Sequence, residues 1–166
     1  MAPGAPDKTG FANFPGALSV RSASVRPGSD EVGGPMLYAI LCYTLEDVVG
    51  AWTAAQDAVV MARLGVVERG LAAGNHLGAV ARLLPTTAAV TLRKGREALV
   101  IDGPFAETKE QLLGFYVVEC EGLEGAIDVA RDLAVANPER GAYEIRPVDL
   151  YRPGGLPGRR ARSVDA

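Results

Sequence analysis

Asp102 heads the stretch with the densest potential chemistry, Asp-Gly-Pro-Phe-Ala-Glu-Thr-Lys-Glu at residues 102–110, in which three carboxylates and one amine share a turn. Asp, Gly and Pro each favour turns for a separate reason. The Asp side chain accepts a backbone N–H ahead of it, Gly permits a positive φ, and Pro fixes the exit. One reading sets Asp102 at the rim of a cleft as a general base, with Glu107, Lys109 and Glu110 close by to bind a ligand or move a proton. The other is a structural turn followed by solvated charges.

Three further polar groups stand on otherwise apolar segments: Arg82, Tyr116 and Arg146. An arginine facing an enclosed interior grips a carboxylate or phosphate through its planar fork. The alternative is an arginine paired with Glu119 or Glu144 at a sheet edge, where charge discourages strand-to-strand aggregation. Tyr116 is read either as a ligand contact or as a core aromatic with its hydroxyl near water. His76 is the only histidine, and Cys42 and Cys120 are the only cysteines. Neither cysteine belongs to a CxxC or a Cys/His cluster with metal-ligand spacing, so both are expected as buried, reduced thiols, with no metal and no cofactor. Phosphate-loop, GxSxG, HExxH and EF-hand patterns do not occur. NTPases, serine hydrolases, zinc proteases and calcium sensors therefore lose their sequence support.

The elements that must position these groups follow from periodicity. Met36 opens the apolar run MLYAILCY, a buried strand. Thr44 with Asp47 resembles a capping box and starts one helix, in which Val48, Val49, Trp52, Val59, Val66 and Val67 recur at roughly helical spacing. Trp52 is assigned to the core on that stripe. Gly74 and Asn75 stop the helix in left-handed geometry. A strand is expected over 76–84, ended by Pro85, then a hairpin pairing 86–93 with 97–102, then a strand over 113–120. Leu123, Ala126, Ile127, Ala130, Leu133 and Ala134 place a stripe on a second helix, terminated by Asn137 and Pro138. A last strand covers about 142–150.

This order is a ferredoxin-like βαββαβ α+β fold with an inserted β-hairpin. Both helices then lie on one sheet face. Strands 36–43 and 114–120 nevertheless carry apolar side chains on both faces, so the second face needs a cover, and a second copy of the chain is the simplest one. A homodimer is expected.

The segment Ile101 to Cys120, with RLLPTT before it and YEIRPV near the end, resembles the signature of the YCII-related family, DGPF branch, whose tetrapeptide stands at Asp102, Gly103, Pro104 and Phe105. The resemblance covers about residues 36–151 and implies a dimeric α+β barrel. It carries no assigned activity. Genes of the branch often neighbour those of extracytoplasmic-function sigma factors, which implies a setting near transcriptional regulation. The wider family is associated with a His–Asp pair. This chain departs from that pattern, because His76 follows the first helix instead of lying within it.

Residues 1–35 hold six Gly and five Pro, a composition expected to form a disordered extension, and Met36 is a second candidate translation start. Residues 152–166, with four arginines among Pro and Gly, are expected to be a flexible tail. The folded domain then spans 36–151. A net charge of −3 offers no footprint for nucleic acid or anionic lipid. No apolar run approaches the ~20 residues of a membrane-spanning helix, and no secretory signal pattern precedes the domain. A cytoplasmic location is expected. Two functions remain: a module binding an unknown small molecule in regulation, or a cofactor-free isomerase or lyase with Asp102 as base and Lys109 or Arg146 holding an anion.

Overall fold

The computed structural model describes residues 34–158. Its elements in chain order are β1 (Met36–Thr44), α1 (Glu46–Gly50), α2 (Ala54–Ala73), β2 (Leu77–Arg82), β3 (Val90–Arg93), β4 (Leu99–Asp102), β5 (Gln111–Cys120), α3 (Leu123–Ala136) and β6 (Gly141–Pro147). Four strands form one antiparallel sheet in the order β2-β5-β1-β6, the ferredoxin-like arrangement with its first and third core strands in the centre. The hairpin β3–β4 is a separate two-stranded sheet inserted between β2 and β5.

The period-2 pattern of β1 and β5 sorts their side chains cleanly. Tyr38, Ile40, Tyr116, Val118 and Cys120 point to one face and join Leu64 of α2 with Ala126, Ala130, Leu133 and Ala136 of α3 in a single apolar core. The four α3 residues repeat at helical spacing, and three of them are alanines, which lets the helix backbone approach the sheet closely. Ile40, Val118 and Leu133 are fully buried, each worth about 1.5–3 kcal/mol in apolar transfer. On α2 the core stripe is Val60, Met61, Leu64, Val67 and Leu71. Leu37, Ala39, Leu41, Phe115 and Val117 alternate onto the opposite sheet face and take no part in that core.

Several local expectations need correction. The first helical region is two helices, and Thr44 caps neither. Thr44 ends β1, and its hydroxyl donates to the Arg140 carbonyl at 2.6 Å, so its side chain is committed across the sheet. The capping box belongs to Thr53 instead: its hydroxyl accepts the Gln56 N–H at 3.2 Å, while Gln56 Oε1 accepts the Thr53 N–H at 2.8 Å. Trp52 consequently lies in the link between α1 and α2, half-buried, outside the central core. Only Asn75 is left-handed at the end of α2 (φ 59), whereas Gly74 is at φ −89. The hairpin starts at Val90 and not at Thr86, because Thr86–Ala88 forms a turn of 3-10 helix held by Glu46, whose carboxylate accepts the Thr86 N–H and hydroxyl at 2.6 Å each. The last strand stops at Pro147, on the edge of the sheet where proline is tolerated, and one further backbone bond follows it, from the Val148 N–H to the Leu37 carbonyl at 2.8 Å.

Residues 152–158 are exposed and carry no helix or strand. The expected extension over 1–35 falls outside the described residues except for Gly34 and Pro35, and 159–166 of the tail also lie outside them.

Candidate functional site

Between the core face of the sheet, α2 and the chain around Asn137–Tyr143 lies a cavity of about 270 Å³. Its walls are mostly apolar and aromatic, with Trp52, Val60, Met61, Leu64 and Val80 among them. Its polar groups come from several elements, and the main ones arrive there by local rules. Glu68 follows Leu64 by four residues on α2, which puts its carboxylate on the inward stripe of the helix. Tyr116 sits opposite Ile40 and Val80 in the sheet register, and Tyr143 sits opposite Cys42. Directly paired residues share a face, so all of these side chains turn inward. Arg82 closes β2, and Asn137 caps the end of α3.

Burial governs the electrostatics. It pushes the Cys42 thiol from its ordinary 9.0 to about 12 and the Tyr143 phenol from 10.0 to about 12. Tyr116 rises further, first through desolvation and then through the nearby Cys42, Glu68 and Tyr143. All three groups are therefore neutral at physiological pH. Arg82 is engaged: its guanidinium stands 2.7 Å from Asp57 Oδ1 on α2. That contact is an ion pair by distance only, because Asp57 Oδ1 is shielded from water and takes no well-directed hydrogen bond. Asn137 Oδ1 is likewise shielded and without a partner. Glu68 forms no ion pair among the described residues.

The structure brings two of the sequence-derived candidates, Arg82 and Tyr116, into this cavity. The partner of Arg82 is Asp57, in place of the Glu119 or Glu144 considered from sequence, because the end of β2 faces the first turn of α2. Arg146 lies on edge strand β6, exposed, with Glu144 at 3.8 Å, and does not line the cavity. Asp102, Glu107 and Lys109 are exposed residues of the hairpin and the loop after it, also outside the cavity. The turn they occupy is built from other groups. The Gly103 N–H donates to the Ala89 carbonyl at 2.8 Å, the Thr91 hydroxyl donates to the Gly103 carbonyl at 2.9 Å, and Gly103 takes φ 101. Arg93 lies over the Phe105 ring at 5.3 Å. His76 is exposed beyond the end of α2 and is not a cavity residue.

Sequence reasoning missed Glu68, Tyr143 and Asn137. The signal for Glu68 was present: a carboxylate four residues after a core leucine, on an apolar helical stripe, is out of place on a simple amphipathic surface. Tyr143 was legible through its alternation with Ile145. The role of Asn137 depends on where the end of α3 docks and had no local signal.

A ferredoxin-like antiparallel sheet with helices on one face and a ligand-sized, largely apolar cavity beneath them defines a small α+β domain with a candidate ligand site. The profile of the YCII-related domain matches residues 36–151, and the chain belongs to the YCII-related family. It is similar to an uncharacterised protein of Rhizobium meliloti (strain 1021), 57% identical over 123 residues, which are 74% of this chain and 99% of that relative.

Proposed function

We propose that the protein is a small-molecule binding module that works as a cytoplasmic homodimer and receives a compact, mainly apolar ligand in the cavity beneath α2. The supporting observation is the lining itself: an apolar and aromatic wall with a few convergent polar groups, which is the usual make-up of a ligand site. A cavity of about 150 Å³ takes a benzene ring, so 270 Å³ accommodates one ring with a short substituent. The Asp-Gly-Pro-Phe tetrapeptide supports the DGPF branch, and with it a regulatory setting beside extracytoplasmic-function sigma factors. The proton-transfer alternative gains nothing from Asp102, which is exposed and outside the cavity.

Trp52 is the only tryptophan and lines the cavity, so its fluorescence reads occupancy directly. Titration with benzyl alcohol, a neutral probe of suitable size, is expected to saturate in the millimolar range. Val80→Phe places a larger side chain in the same wall at a position suited to aromatic strand residues, and is expected to abolish the response without lowering the melting temperature. A linear, non-saturating response in the wild type, equal in Val80→Phe, sinks the binding reading.

A further inference from the structure

Charge at the cavity is unevenly engaged. Of the four charged residues in the lining, Arg82 is already opposed by Asp57, while Glu139 and Arg140 are adjacent, exposed and of opposite sign. Solvent screens such exposed charges strongly. Glu68 is the half-buried member, has no ion-pair partner among the described residues, and approaches the Tyr116 phenol closely enough to raise its pKa. Among the described residues the cavity thus offers a half-buried anion without an ion-pair partner, while its cations are either paired, as Arg82 is with Asp57, or exposed, as Arg140 is.

One further feature points the same way. Trp52, Tyr116 and Tyr143 contribute aromatic rings, whose faces attract cations. An ammonium group presents three N–H donors and one positive charge, which answers a carboxylate and a π face. A carboxylate or phosphate ligand would meet Glu68 as a like charge, with Arg82 already occupied.

Resting on the binding reading above, the geometry points to a ligand class: a primary amine on a small apolar or aromatic body, bound as its cation with the ammonium at Glu68 and the body against Trp52, Leu64 and Val80. Glu68 is then the residue that selects the cation, and the aromatic wall selects its size.

Three probes of nearly equal shape test this through Trp52 fluorescence at low ionic strength: benzylamine, benzyl alcohol and benzoate. Benzylamine is expected to bind about tenfold more tightly than benzyl alcohol, the scale of a partly desolvated charge-assisted contact with cation–π support, and benzoate more weakly than both. In Glu68→Gln the ratio of amine to alcohol affinity is expected to collapse to about one, whereas Glu68→Asp, shorter but still anionic, retains a preference for the amine. Circular dichroism of each variant checks the fold, and the wild-type ranking stands without any variant. Equal affinity for amine and alcohol in the wild type, tighter benzoate, or an undiminished preference in folded Glu68→Gln overturns the amine assignment and leaves the binding module intact. Failure of all three probes to saturate overturns both.

Discussion

Cys42 and Tyr143 face each other across β1 and β6, and burial holds both neutral by raising their pKa values to about 12. For an acid whose folded pKa lies above its unfolded value, the contribution to stability is complete below the unfolded value and disappears as pH rises through the folded one. The window here opens at 9.0 for the thiol and 10.0 for the phenol, and closes near 12 for both. Melting temperature is therefore expected to hold up to about pH 9 and fall steadily above it. Tyr143→Phe, which keeps the ring and removes the titration, should flatten the upper part of that fall. Asp102 belongs to the same scale and gives a sharper contrast. Its side chain makes no hydrogen bond among those of the described residues, so Asp102→Asn is expected to leave stability and benzyl alcohol binding unchanged. Gly103→Ala forces a side chain into φ 101 and is expected to cost about 1–2 kcal/mol locally. Because β3–β4 is a sheet of its own, that cost should appear as faster amide exchange across Val90–Arg93 and much less in the global melting curve.

At the scale of elements, α2 depends on Thr53. The reciprocal Thr53–Gln56 box satisfies two backbone donors where the chain turns back into helix after Trp52, and Thr53→Ala is expected to destabilise the domain by about 1 kcal/mol in urea unfolding. Thr44→Ala gives no such loss of helix capping, since its hydroxyl serves the Arg140 carbonyl instead. Sequence spacing located a helix over this region correctly but put its cap nine residues early. The pattern S/T-x-x-[DE] recurs by chance in polar links, and only the neighbouring strand decides which hydroxyl is free to cap. The close passage of β2 against β5 is a second element-level constraint. A Cβ on Gly114 would press on the Ala81 carbonyl, so β5 needs glycine at the position opposite Arg82.

For the whole molecule, the decisive feature is the sheet face away from the helices. Leu37, Ala39, Leu41 and Phe115 are half-buried there, and Val117 is 6% exposed although it lies outside the apolar core of the helix side. An aliphatic face of this kind is a common interface between copies, and the proposed homodimer would use it to close the α+β barrel that the family resemblance implies. The full chain is expected to sediment at twice its mass at micromolar concentration. Leu41→Glu puts a charge on that face without touching the helix-side core, and should sediment at one chain mass with an unchanged circular dichroism spectrum. A wild-type monomer under the same conditions removes the barrel from the proposal. Among the described residues no helix is long and apolar enough to cross a membrane.

The sequence by itself determined the order of elements, the α+β class and the family. Those properties are written in short-range periodicity: every second residue for β1 and β5, and every third or fourth for α3. The two-faced apolar strands were equally legible, because alternation needs no knowledge of neighbours. Only the tertiary structure decided which polar groups meet. Asp57 reaches Arg82, and Cys42 reaches Tyr143, because the crossover helix and the strand register bring distant positions onto one face. The turn residues around Asp102 looked richest in chemistry from their spacing, yet they lie in a hairpin and the loop after it, outside the cavity, while Glu68, which the sequence reading passed over, lines it. Local composition reports which groups a segment carries. The packing of α2 on the sheet selects the one that lines the cavity.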